Sequence, residues 1–207
     1  MGKIGIMGGT FDPIHNGHLM LGKQAYKEYG LDEVWYMPSG HPPHKKDHEV
    51  TKPAMRLEMT KLAVKGHEGF LCSDFEVKRS GNTYTAQTLY LLRKQYPEHV
   101  FYFIIGADSL YEIETWYEPE HVMAQTIILA ARRKYEEMGK EQAMNRQIAY
   151  LSDKYNADIR MLHSEKMDIS SAVLRQMVAD EQDISHFVPV EVLSYIKAHG
   201  LYREVRI

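Results

Sequence analysis

Short apolar runs suited to buried strands alternate with longer helical patterns along most of the chain, and this alternation limits the fold more than any other feature. "VFYFIIG" (Val100 to Gly106) is the clearest case: apolar throughout, it reads as a central strand buried on both faces. "KIGIMG" (Lys3 to Gly8), "EVWYMP" (Glu33 to Pro38), "FLCSDFEV" (Phe70 to Val77), "TIILAA" and "DIRMLH" read as further strands. Between them, helices are predicted from His15 to Tyr29, closed by Gly30, and from Tyr84 to Tyr96, closed by Pro97. "KPAMRLEMTKLAV" is a third, with Pro53 in its first turn and Met55, Met59, Leu62 and Ala63 at helical spacing. A fourth runs from about Glu136 to Tyr155, and two C-terminal helices follow, Ser170 to Ala179 and Pro189 to His199. Strands alternating with helices of about 10–15 residues imply right-handed parallel βαβ units, hence an α/β fold with helices on both faces of a parallel sheet. Ligands of such sheets bind outside the carboxyl ends of the strands, so the loops after Met7, Pro38 and Ile105 are expected to face one site.

The chain of 207 residues has no linker, repeat or low-complexity tract, which predicts a single domain over 1–207 with a small helical part from about residue 168. A formal net charge of -3 argues against a general nucleic-acid or anionic-membrane binder. Cys72 is the single cysteine; it can form no internal disulfide and suits a reducing compartment, where a buried, inert thiol is expected. No signal peptide is visible, and no apolar run approaches the roughly 18 residues that span a bilayer. A cytoplasmic protein with no membrane or nucleic-acid partner is expected, and a homo-oligomer is left open.

After the first strand comes "MGGTFDPIHNGH", Met7 to His18. It contains no Lys-Ser/Thr pair after its glycines, so it is not a P-loop, and it lacks the G-x-G-x-x-G spacing of a dinucleotide turn. Gly8 and Gly9 let a backbone approach a ligand without a Cβ in the way. His15 and His18 lie one turn apart at the start of the predicted helix, where free N–H groups and the helix dipole favour an anion. Imidazoles can donate hydrogen bonds to phosphate, which would in turn favour their charged form. A surface or metal-binding pair is the alternative, but no third ligand at a recognisable spacing accompanies it.

"GGTFDPIHNGH" resembles the signature of the bacterial nicotinate-nucleotide adenylyltransferases, a branch of the nucleotidyltransferase superfamily marked by a HxGH motif, here "HNGH". The resemblance implies a Rossmann-like parallel sheet, and adenylyl transfer from ATP to nicotinate mononucleotide with release of pyrophosphate and formation of deamido-NAD. It also implies that Gly8, Gly9, Thr10, Phe11, His15 and His18 bind ATP. "PSGHPPHK" resembles the family's loop after the second strand, where Lys45 reaches phosphates. "NTYTAQT" places Thr85 at a helix start, where threonine is a good cap, in a region that the family uses for the nicotinate carboxylate. "IIGADSL" places Gly106 and Asp108 at the end of the central strand, where an acid can accept ribose hydroxyls.

"TWYEP" supplies Trp116 and Tyr117, the aromatic pair that the family sets against the nicotinate ring; stacking of this kind is worth about 1–3 kcal/mol. "ISSAVLRQ" is similar to the superfamily's I-S-S-T-x-I-R motif and assigns Ile169, Ser170, Ser171 and Arg175 to ATP, with a serine capping the helix. Ala172 and Leu174 depart from that pattern. "AARRKY" departs from the family's Arg-Pro-Gly, with Arg133 as the residue facing substrate there. The chemistry implied is direct in-line attack of the acceptor's 5′-phosphate on the α-phosphorus, with His15, His18, Lys45 and Arg175 stabilising phosphoryl charge. Mg²⁺ is expected to arrive on ATP, with no protein ligands assigned.

Overall fold

The computed structural model describes residues 1–42, 50–133, 138–164 and 169–203, with the side chains of 132, 133 and 138–141 outside the described part. Six strands form one parallel sheet with flanking helices. In chain order the elements are β1 (Lys3–Gly9), α1 (Asn16–Tyr29), β2 (Glu33–Pro38), α2 (Pro53–Val64), β3 (Phe70–Cys72) and α3 (Thr85–Gln95). Then follow β4 (Val100–Gly106), α4 (Ala107–Glu112), a 3₁₀ turn at Ile113–Thr115, α5 (Pro119–Gln125), β5 (Ile127–Arg133), α6 (Met138–Tyr155), β6 (Ile159–Ser164), α7 (Ser171–Ala179) and α8 (Val190–Ala198).

The strand order is β3-β2-β1-β4-β5-β6, so the direction of winding reverses between β1 and β4. Those two strands pair in parallel with Lys3 opposite Val100 and Ile6 opposite Phe103. β4 is the central strand its composition predicts, with Phe101 through Ile105 all buried. Gly5 is needed inside β1 because a Cβ there would meet Leu31 Cδ1 at 2.8 Å and Ile104 Cδ1 at 3.1 Å. Gly30 ends α1 at φ +57, in the left-handed region where glycine carries no steric penalty.

Two expectations change. "FLCSDFEV" is a strand only as far as Cys72: Ser73 N–H makes a last sheet-edge bond to Tyr36 O at 2.8 Å, and the chain then turns through Lys78 N–H to Asp74 O at 3.0 Å. On α2 the buried face is Arg56, Met59, Thr60, Ala63 and Val64, rotated from the apolar face expected, because a buried arginine takes a core position.

The chain divides into two compact units, each built from three segments. One comprises Met1–Gly8, Met20–Trp35 and Tyr84–Lys166; its core includes the strand residues Ile4, Ile104 and Leu129 and the helix residues Leu89, Leu110 and Leu151, all buried. The other comprises Gly9–Leu19, Tyr36–Thr83 and Met167–Ile207, with Phe11, Ile14, Tyr36, Met59, Leu174 and Ile196 buried in it. Among the described residues no helix is long and apolar enough to cross a membrane. Cys72 is only half-buried; its thiol, pushed up to about 12 by desolvation, is poorly reactive.

Candidate active site

The second unit holds the signature histidines. His15 is 6% exposed and its ring stacks on His18 at 3.8 Å between centroids. Phe11 meets the His18 ring edge-on at 4.9 Å. The backbone N–H of His15 donates to His18 Nδ1 at 3.3 Å, so a neutral His18 carries its proton on Nε2 and presents a donor. Desolvation lowers the His15 pKa to about 4, and lowers that of His18 well below its usual value, with the neighbouring His15 adding to the effect. Both imidazoles are therefore neutral at physiological pH in the ligand-free chain. His15 Nδ1 is buried with no hydrogen-bond partner among the described residues.

Two sequence readings are corrected by this geometry. The N–H groups at the start of α1 are not all free: Asn16 N–H donates to Phe187 O at 2.8 Å, and His18 N–H to His15 O at 2.9 Å. Nor do the two glycines serve alike. A Cβ at Gly8 would make only ordinary contact with Phe103, which leaves room beside it, whereas one at Gly9 would strike the Phe11 ring at 2.8 Å. Gly9 thus accommodates Phe11, whose own backbone lies at φ +51. Gly17 is similarly needed, since its Cβ would press on the His15 ring at 3.0 Å.

Beneath the motif lies a polar network that sequence reasoning missed. Arg56, 1% exposed, donates to Thr10 O at 2.7 Å, Thr51 O at 2.8 Å and Gly40 O at 3.0 Å. Ser39 N–H donates to Gly9 O at 2.8 Å, so the ends of β1 and β2 are tied together. Asp12, 3% exposed, accepts from Thr51 N–H at 3.2 Å and from the Tyr202 hydroxyl at 2.6 Å. The one available signal was spacing: Arg56 stands three and four residues before Met59 and Thr60, on their helical face.

From α7, Ser170 caps the helix as expected, its Oγ accepting from Val173 N–H at 3.2 Å. Ser171 Oγ donates to Pro13 O at 2.9 Å, and Arg175 Nη1 to Asp12 O at 2.8 Å. The unit therefore brings Phe11, His15 and His18 together with Ser171 and Arg175, and places Thr10 on Arg56. Ile169 stands just ahead of the cap, its Cγ2 at 3.6 Å from where a Gly17 Cβ would be. Lys45 lies outside the described residues.

The first unit holds the predicted acceptor residues. Trp116 follows the 3₁₀ turn, half-buried and edge-on to Phe103 at 6.1 Å. Tyr117, 44% exposed, tilts against Tyr84 at 4.4 Å. Thr85 is the first helical residue of α3, and Tyr84 takes the cap position with no side-chain capping bond to the helix, so the capping role expected of Thr85 is not observed. Gly106 opens α4 with empty space where a Cβ would stand, and Asp108 is exposed in that helix's first turn. Glu114 accepts from Lys154 Nζ at 2.7 Å and the Tyr155 hydroxyl at 2.9 Å, pinning the turn before Trp116 to α6. Arg133 ends β5 opposite Ser164; its side chain lies outside the described part.

Two cavities, of about 420 Å³ beside α2 and α8 and about 290 Å³ beside β4 and α5, are lined by none of these residues. Among the described residues, no group of three or more His, Cys, Asp or Glu could hold a metal ion.

The family model for cytidylyltransferase-like proteins matches residues 6–177, which places the chain in the nucleotidyltransferase class. A relative from Lachnoclostridium phytofermentans, named "Probable nicotinate-nucleotide adenylyltransferase", is 45% identical over 98% of this chain and 100% of its own length. Another of the same name from Carboxydothermus hydrogenoformans is 39% identical over 97% and 98%. The solved Plasmodium falciparum nicotinic acid mononucleotide adenylyltransferase complexed with NaAD shares the fold, with a TM-score of 0.79 over 98% of both chains at 21% identity. The same enzyme complexed with APC gives a TM-score of 0.77 at 20% identity. The chain belongs to the nicotinate-nucleotide adenylyltransferase family.

Proposed function

We propose that this chain transfers the adenylyl group of ATP to the 5′-phosphate of nicotinate mononucleotide, giving deamido-NAD and pyrophosphate for NAD biosynthesis in the cytoplasm. The observation that carries the site reading is the His15–His18 stack, desolvated and with the His18 proton directed to Nε2. Two neutral donors at a helix start suit a phosphate in flight. They stabilise charge as it develops on the phosphoryl oxygens without binding the ground-state anion as tightly as two cations would. Binding of the polyphosphate raises their proton affinity, so the histidines can also charge as the complex forms.

The acceptor phosphate is already anionic and needs no general base, so the attack is direct and no covalent enzyme intermediate forms. Gly8 leaves room for the triphosphate, backed by Gly9, Thr10 and Phe11, while Ile169, Ser170 and Ser171 present the start of α7. Arg175 stabilises the leaving pyrophosphate, and Lys45 the reacting phosphates. Gly106 and Asp108 receive ribose hydroxyls. Thr85, Trp116 and Tyr117 hold the pyridine ring and its carboxylate, and Arg133 serves the acceptor phosphate. Mg²⁺ would be held by the ATP phosphates, whose charge it would offset, because the His15 and His18 nitrogens do not suit a hard cation and the Asp12 carboxylate is already occupied.

A coupled assay of pyrophosphate release with ATP, Mg²⁺ and each of nicotinate mononucleotide, nicotinamide mononucleotide and phosphopantetheine tests the reading. Nicotinate mononucleotide should be the preferred acceptor, and His18→Ala should lower kcat by about 10²-fold, the loss seen when a transition-state donor is removed. Turnover of the variant near wild type would remove His18 from the mechanism, and preference for another acceptor would reassign the substrate.

A further inference from the structure

The C-terminal "HGLYR" lies beyond the helices assigned to ATP, yet its tyrosine reaches the signature loop. Tyr202 stands at φ +63, a left-handed backbone that a tyrosine seldom adopts and that marks a place where surrounding contacts decide the conformation. Its hydroxyl donates to Asp12 Oδ1 at 2.6 Å, while Thr51 N–H fills Oδ2 at 3.2 Å. The Asp12 carboxylate is thus occupied by two neutral donors, although two guanidinium groups lie close by. Arg56 spends its donors on three backbone carbonyls. Arg175 makes a single hydrogen bond among the described residues, and it goes to the backbone carbonyl of Asp12, not to the carboxylate.

This arrangement is unexpected, because an arginine fork beside a carboxylate normally takes it bidentately, with charge-assisted bonds about twice as strong as neutral ones. Arg175 already touches the residue that carries that carboxylate. Both carboxylate oxygens are already engaged, Oδ1 by the Tyr202 hydroxyl and Oδ2 by Thr51 N–H. We propose that Tyr202 is a positioning residue: by occupying the Asp12 carboxylate with a neutral donor, it keeps Arg175 on the Asp12 carbonyl with its charge uncommitted and available to substrate phosphate. The inference rests on the reading that Arg175 serves ATP. Without the hydroxyl, a buried carboxylate oxygen loses its donor, and Arg175, unlike the fully engaged Arg56, has donors to offer in its place. An Asp12–Arg175 ion pair then neutralises the charge that ATP would have met.

The experiment compares Tyr202→Phe in two backgrounds of the full chain, with Asp12 and with Asp12→Asn, by steady-state pyrophosphate release. With Asp12 present, Tyr202→Phe should raise KM for ATP roughly tenfold, the scale of one hydrogen bond to a charged group, and leave KM for nicotinate mononucleotide unchanged. In the Asp12→Asn background there is no charge to capture Arg175, and the same substitution should change KM for ATP by less than about twofold. An equal loss in both backgrounds, or equal effects on the two substrates, would mean that Tyr202 merely packs, and would overturn the proposal. Should Tyr202→Phe alone fail to fold, Asp12→Asn is compared with Asp12→Asn/Tyr202→Phe: near-equal KM for ATP is expected, and a difference of about tenfold overturns the proposal. Arg175→Ala separates the two levels of inference. Unchanged ATP kinetics in that variant would remove the reading beneath, whereas impaired kinetics with a background-independent Tyr202 effect would remove the proposal alone.

Discussion

Arg56 illustrates how one side chain can hold a loop that it does not resemble. Its guanidinium fills three carbonyls, of Thr10, Gly40 and Thr51, and burial makes its charged form less favourable than usual. Arg56→Leu would leave those acceptors without donors, each a loss of about 1–3 kcal/mol when no water replaces the bond. Destabilisation of about 3 kcal/mol or more is expected as a shift of the urea midpoint, and Arg56→Lys should fall in between because an ammonium lacks the planar fork. An unchanged midpoint for Arg56→Leu would show the loops to be held otherwise. This residue was hard to find in the sequence because its type assigns arginine to solvent, and helical spacing from Met59 was the one signal against that; its three acceptors appear only in three dimensions. The histidine pair and the Ser170 cap were legible because both depend on spacing within a few residues. Thr85 misled for the same reason: its type suits a cap, but the helix begins one residue earlier than that role requires.

At the scale of elements, the loop that carries Trp116 is fixed from outside itself. Glu114 ties the preceding 3₁₀ turn to α6 through Lys154 and Tyr155, and hydrogen bonds from these two hold its carboxyl below the usual range. Trp116→Ala should therefore raise KM for nicotinate mononucleotide while leaving KM for ATP near wild type, by about tenfold if ring stacking contributes 1–3 kcal/mol. Equal effects on the two substrates would count against the aromatic contact. Regular elements were readable wherever an apolar period ran for several turns, as in α1, α3 and β4. α4 and α5 were not anticipated, since "ADSLYEIETWYEPEHVMAQ" breaks its period with charged and aromatic residues within each short turn. "FLCSDFEV" fails as a strand after Cys72 because the following backbone closes on itself through Asp74 and Glu76.

For the molecule as a whole, the desolvated histidines couple stability to pH. Unfolded, His15 titrates near 6.5; folded, near 4, because burial opposes its charge. Between those values only the unfolded chain takes up the proton, so the contribution is complete above pH 6.5 and is lost as pH falls toward 4. The His15 share is about 3 kcal/mol over that range, and His18 adds in the same direction. A His15→Asn variant should show a flatter unfolding free energy between pH 6.5 and 4; an identical slope would show that His15 is not the group responsible. Globally, the alternation of strands and helices was enough to anticipate a parallel sheet, whereas the passage of the chain between two units after Gly8, Leu19, Trp35, Thr83 and Lys166 left no mark in composition. The bond between Asp12 and Tyr202 spans 190 residues of chain. An elongating chain that has passed Asp12 but has not reached Tyr202 carries the signature loop without the hydroxyl that its carboxylate accepts, and 190 further residues must be made before the two can meet.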